Sequence, residues 1–239
     1  MSNDTANPSN GSFPNKQDIA RGYDQIPAEK FMPRKFHRRC VDLLRPRLQP
    51  GSKVADFGCG HGTLLEVLHG LPFALQLSGC DLSPVLAQNS QRRVPDAEVR
   101  VADIEALPYS ENTFDAAFAT EVMEHLATPL KALTEIHRVL KPGGWLLVSL
   151  PNRDWFRFDE YIRGRSKFQP VDDHFYRVVE MEGFLQQAGF VVRKVRGGEN
   201  LYFGGGLPRL LEKLALLLCP RLHRRMKRMI LLSQKPAAR

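Results

Sequence analysis

Residues 54–62 read VADFGCGHG, an apolar stretch that runs into three glycines within five residues. Apolar residues at helical spacing follow at once: Leu64, Leu65, Val67 and Leu68. A strand, a glycine turn and a helix N-terminus in that order restrict the chain to an alternating α/β architecture. Glycine lets the backbone reverse sharply and approach a ligand closely. The first turn of the helix adds N–H groups that have no partner within it. The spacing is G-x-G-x-G, whereas a dinucleotide-binding turn reads G-x-G-x-x-G, so a pyrophosphate ligand is disfavoured.

The rest of the chain repeats the alternation. Residues 27–48 suggest a leading helix, and Lys53–Phe57 the first strand. Residues 74–80 predict a second strand, and Ser83-Pro84 an N-cap with proline at the first helical position. Further strands are predicted over 98–102, 114–120, 145–150 and 190–195, with helices over 130–140 and 179–188. Lys141-Pro142-Gly143-Gly144 and Gly189 stop these helices. An apolar helix over 207–218 and a short strand over 229–232 end the pattern. This is an α/β fold: a Rossmann-like, mainly parallel seven-stranded sheet with helices on both faces. Residues 1–20, polar and rich in Asn, Ser and Pro, are expected to be a disordered tail. Residues 21–239 form one domain, with 151–178 a lid over the site and 204–228 a basic helical insertion.

Charge is uneven. The net charge is +8, and residues 207–239 hold nine Lys or Arg against Glu212 alone, so the other 206 residues balance. The asymmetry points to an anionic surface, membrane or nucleic acid, or else to a solvated helix face. Cys40, Cys59, Cys80 and Cys219 show no C-x-x-C spacing, which suggests a reducing, cytosolic compartment. The first residues lack the apolar core of a signal peptide, and the apolar run at 214–219 is too short to span a bilayer.

Four acidic positions fall at the predicted carboxyl ends of strands, where open α/β sheets place ligands. Asp56 precedes the glycine turn, and Asp81 lies 25 residues after Asp56 at the end of strand two. Asp103-Ile104 and Thr120-Glu121 end strands three and four. With VADFGCGHG, the segments GCDLS (79–83), VADIEALPY (101–109), FDAAFATEVMEHL (114–126) and RVLKPGGWLLVSLPN (138–152) resemble the class I S-adenosylmethionine-dependent methyltransferases. The likeness covers about residues 50–195 and is strongest to the small-molecule group that includes ubiquinone and menaquinone biosynthetic enzymes. It implies S-adenosyl-L-methionine as cofactor. Asp56, Gly58 and Gly60 would surround its methionine part, Asp81 with Leu82 its ribose, and Asp103 with Ile104 its adenine. A carbonyl of Thr120 or Glu121 would meet its ammonium. His61 replaces the family's usual Thr before the last glycine.

Methyl transfer needs a positioned nucleophile and a destination for its proton. Glu121, Glu124 and His125 are spaced i, i+3, i+4, so a helical turn would place them on one face. With His174 they could hold a divalent cation such as Mg2+ or Mn2+ that activates an acceptor hydroxyl. The pattern resembles that of metal-using small-RNA 2′-O-methyltransferases and of ubiquinone O-methyltransferases. Without a metal, His125 or His174 would be the general base; His137, in the helix before strand five, is expected to be structural. Relatives also close an N-terminal segment over the cofactor, which singles out Tyr23, Arg34 and Lys35.

In the lid, Trp155, Phe156, Phe158, Tyr161 and Phe168 alternate with Arg153, Arg157, Arg163, Arg165 and Lys167. A flat or lipidic acceptor with an anionic part suits them, as does a nucleic acid. The expected activity is cytosolic methyl transfer to a small or lipid-like acceptor, at oxygen, with the basic C-terminal segment in peripheral contact with a membrane. The rivals are a metal-dependent RNA 2′-O-methyltransferase, disfavoured because no RNA-binding module is present, and a non-catalytic Rossmann-like binding protein.

Overall fold

A computed structural model describes residues 16–25, 34–126, 129–155, 174–198 and 214–237. Strands β1 (Lys53–Phe57), β2 (Gln76–Asp81), β3 (Glu98–Val101), β4 (Phe114–Thr120), β5 (Leu140–Pro151), β6 (Val191–Gly198) and β7 (Arg228–Gln234) form one sheet. Their order is β3-β2-β1-β4-β5-β7-β6. All neighbours pair in parallel except β7, which runs antiparallel to both β5 and β6. The order reverses between β1 and β4, and the crevice beyond the carboxyl ends of those strands is where such a sheet accepts a ligand.

The helices are α1 (Lys16–Asp24), α2 (Arg34–Leu44), α3 (Thr63–His69), α4 (Pro84–Arg93), α5 (Pro129–Val139) and α6 (Val178–Gln187). The central strands carry near-continuous apolar runs because both of their faces are covered. One face packs Phe57, Phe114, Leu146 and Leu231 against α5 and α6; the other packs Val54, Phe118, Leu147 and Ile230 against α2 and α3. Each cluster removes its large side chains from water almost completely, which is the main term holding the layers together.

Several expectations shift. Residues 16–20, assigned to the tail, are helical and open α1. The last strand extends to seven residues because it inserts between β5 and β6. Of the apolar helix at 207–218 only 214–218 are described. They are helical but do not pack down on the sheet, since Leu217 and Leu218 are each 75% exposed. The aromatic and basic lid positions from Phe156 to Phe168 lie outside the described residues. Among the described residues no helix is long and apolar enough to cross a membrane.

Candidate functional site

The glycine turn is built as its spacing requires. Gly58, Gly60 and Gly62 have φ of 77°, 51° and 76°, in the left-handed region that side chains avoid. Gly58 also lies under the next strand's loop, where a Cβ would meet Val122 Cγ2 at 2.3 Å. The turn hangs on β2: the amides of Gly58 and Cys59 donate to the Cys80 carbonyl at 2.8 and 2.9 Å. Gly60 N donates to Asp81 Oδ2 at 2.8 Å, and Ser83 N donates to Asp81 Oδ1 at 2.9 Å. Asp81 is thereby fixed with a lone pair on each oxygen still able to accept from a diol. Ser83 caps α4, its Oγ accepting from Leu86 N at 3.0 Å, as its place before Pro84 predicts.

Asp56 is 1% exposed, and its Oδ1 has no hydrogen-bond partner among the described residues. Burial, and secondarily the charge of Asp81, push its carboxyl up to about 8. Burial also raises Asp81, against the two backbone N–H groups that favour its charge. Two buried acids, one of them with an unsatisfied oxygen among the described residues, suit a ligand that brings a positive charge and hydroxyl donors. S-adenosylmethionine has both, so these residues fit it. The thiols of Cys59 and Cys80 are held neutral by burial and are not nucleophiles.

Helix α1 lies across this site although none of its residues is buried. Lys16 Nζ sits 2.5 Å from Asp103 Oδ2 and 2.6 Å from Glu105 Oε2. Asp24 accepts from Ser83 Oγ. The Tyr23 hydroxyl lies 2.7 Å from His125 Nε2. Of the N-terminal candidates Tyr23 thus reaches the site, Lys35 is solvent-exposed, and the side chain of Arg34 lies outside the described residues. Lys16 and Asp24 went unrecognised because a polar, Pro-rich flank hides a nine-residue helix. The signal is the Tyr23-Asp24 pair at its end, KQDIARGYD.

At the other end of the cofactor crevice the expected helical face is absent. Glu121 has φ 56°, and the turn that follows is a 3-10 turn over Met123–His125 alone. Glu121 therefore leaves the axis that would align it with Glu124 and His125. Its Oε1 accepts from Ser149 Oγ at 3.1 Å, and its Oε2 lies 3.2 Å from Arg228 Nε. Glu124 is buried, and its carbonyl accepts from His174 N at 2.7 Å. That bond brings His174 beside the turn, its ring against Tyr176 at 4.6 Å. Among the described residues no group of three or more His, Cys, Asp or Glu is arranged to hold a metal ion. The donor set Glu121, Glu124, His125 and His174 is not assembled for Mg2+ or Mn2+.

The remaining expected positions fall at the same edge. Leu82 is half-buried, Ile104 and Thr120 are buried, and Ala102 N donates to the Asp81 carbonyl at 2.9 Å, setting Asp103 beside Asp81. His61 Nδ1 lies 3.3 Å from Asn89 Nδ2. His137 packs edge-on against Phe190, away from the crevice.

Residues 55–148 match the model of a methyltransferase domain. A ubiquinone biosynthesis O-methyltransferase of Dinoroseobacter shibae is 33% identical over 159 residues, 62% of this chain and 63% of that one. A tRNA (carboxymethyluridine(34)-5-O)-methyltransferase of Arabidopsis thaliana is 37% identical over 160 residues, 65% of this chain and 37% of that one. The chain spans roughly one third to two thirds of the length of the curated relatives it matches first. A solved structure of an S-adenosylmethionine-dependent methyltransferase from Thermotoga maritima superposes with a TM-score of 0.65 at 19% identity, over 91% of this chain and 99% of that one, a likeness of fold.

Proposed function

We propose that this chain, an S-adenosylmethionine-dependent methyltransferase by its domain and its relatives, methylates a hydroxyl oxygen of a small or lipid-like acceptor, with His125 as general base. The observation that carries the reading is the Tyr23 hydroxyl 2.7 Å from His125 Nε2, at the edge of the crevice that holds Asp56 and Asp81. Bound S-adenosylmethionine supplies an electrophilic methyl group on a sulfonium. Asp81 would hold its ribose, Asp103 and Ile104 its adenine, and Asp56 with the backbone of Thr120 and Glu121 its methionine part.

A neutral imidazole titrates near working pH and can take the proton that the acceptor hydroxyl loses. Tyr23 holds the His125 ring, and α1 is tied to the crevice through Lys16 and Asp24. His174, whose N donates to the Glu124 carbonyl beside the same turn, is the alternative base. Because Glu121 is held by Arg228 and Ser149, no step is assigned to a metal. The ubiquinone relative, named an O-methyltransferase, supports oxygen as the methylated atom. The reading places the enzyme in the cytosol, touching membranes peripherally.

The test is transfer of labelled methyl from S-adenosylmethionine to a soluble catechol, a prenylated phenol and transfer RNA. Methylation of the phenolic acceptors, with His125→Asn lowering kcat by about 100-fold or more while S-adenosylhomocysteine still binds, is the expected result. Methylation of RNA alone would transfer the assignment to the nucleic-acid reading favoured by the plant relative. A chain that binds no S-adenosylhomocysteine in calorimetry would be a non-catalytic binding protein.

A further inference from the structure

A cluster of cations lies at the free edge of the sheet, apart from the crevice. Lys194 and Arg196 alternate along β6 and stand opposite Leu232 and Ile230 of β7. Opposed residues share a sheet face, and that face is the one α2 covers. The Arg47 guanidinium lies 4.5 Å over the Trp145 ring on the same face. The turn Pro220–Arg225 is fastened beside it, since Gly197 N donates to His223 Nδ1 at 3.2 Å.

These charges act on one another. The charges that depress Lys194 are Arg196 and Arg47; burial first, then Arg196, Arg39 and Lys194, depress His223. Among the described residues no carboxylate is among the charges that act on Lys194 or His223, although Arg224 of the turn is paired with Glu182. Like charges held together this way cost free energy unless something anionic meets them.

The chain just before the turn supplies the second element. Leu214, Leu217 and Leu218 are 50%, 75% and 75% exposed on the short helix at 214–218. Cys219 N donates back to the Ala215 carbonyl at 2.8 Å, so this helix runs directly into the basic turn. Exposed leucines beside cations are the composition of a surface that enters lipid headgroups. A nucleic acid would use the cations and leave the leucines in water.

Orientation is the third element. Because β7 is antiparallel, its first residue, Arg228, and the last residues of β6 share an edge with the end of β5, where Pro151 pairs Arg228 and Arg228 pairs Gly198. The basic turn thus lies along the carboxyl edge onto which the crevice opens. We propose that Arg39, Lys194 and Arg196, with Leu217 and Leu218, form a docking surface for an anionic lipid bilayer that presents the acceptor site to the membrane. The surface rests on the lipid-like acceptor reading only for its purpose.

Sedimentation of the full chain with vesicles tests it. Vesicles of equimolar phosphatidylcholine and phosphatidylglycerol should carry the protein down at physiological salt; phosphatidylcholine alone should not. Lys194→Gln with Arg196→Gln should weaken binding roughly 30-fold, at about 1 kcal/mol for each cation lost. Leu217→Ser with Leu218→Ser, at positions too exposed to unfold the chain, should also weaken it. Full retention of either double variant, or binding to single-stranded RNA with none to anionic vesicles, overturns the proposal. Methylation of a soluble catechol is measured in parallel and should be unchanged in both variants. Vesicle binding without any methylation would sink the acceptor reading and leave the surface standing; methylation without vesicle binding would do the reverse.

Discussion

The Arg228 guanidinium, at the start of the last strand, lies 3.2 Å from the carboxylate of Glu121, which ends the fourth in a left-handed turn. Both side chains are nearly buried, at 12% and 14% exposed. Removing one partner from such a pair leaves a charge with little solvent around it. Arg228→Met should therefore destabilise the chain by about 2–3 kcal/mol. Glu121→Gln added to Arg228→Met should restore part of that loss, because no uncompensated charge remains. Urea denaturation of the four proteins gives the coupling. Additive losses would mean that the pair has no energetic link. If Glu121 contributes its backbone to the cofactor site as proposed, affinity for S-adenosylhomocysteine should also fall with Arg228→Met, since the pair holds that residue in place.

The buried Asp56 makes stability depend on pH. Its carboxyl titrates at about 8 in the folded chain, against 3.8 when free. The folded state therefore holds the proton across the range where the unfolded state has released it. Stability is fully present below the unfolded value and is lost as pH rises toward about 8. Asp56→Asn cannot lose that proton. The variant should gain on the parent as pH rises from about 5 to about 8, by on the order of 3 kcal/mol. Parallel stability profiles across that range would show that Asp56 is not held neutral.

The glycine turn and the acids at strand ends were legible because each is a local pattern whose geometry follows from a few neighbouring residues. Asp81, for instance, needs only the turn above it and Ser83 beside it. The misread parts depend on distant pairing or on a single dihedral. Arg228 reaches Glu121 only because β7 runs antiparallel and brings its first residue to the carboxyl edge. Glu121-Val122-Met123-Glu124-His125 has helical spacing, yet φ of 56° at Glu121 breaks the face that the spacing suggests. Lys16 sits in a polar flank whose helix buries none of its residues and is held by polar contacts to strand ends some ninety residues away.

Gly58 tests how far the turn is fixed by space and how far by backbone. A Cβ there would meet Val122 Cγ2 at 2.3 Å, closer than any real contact, and its φ is 77°. Gly58→Ala must either shift Val122, whose neighbours Glu121 and Met123 are tied into the site, or distort the turn. The cost should be about 2–4 kcal/mol, with weaker binding of S-adenosylhomocysteine. Val122→Ala in the same chain opens the space but leaves the left-handed backbone, so it should recover all but the roughly 1–2 kcal/mol that an alanine pays there. If the double variant regained the parent's full stability, only crowding would be at issue. If it regained none, the conformation at Gly58 alone would account for the glycine. Partial recovery in denaturation, matched by partial recovery of ligand affinity, is the outcome that two separate demands on one residue require.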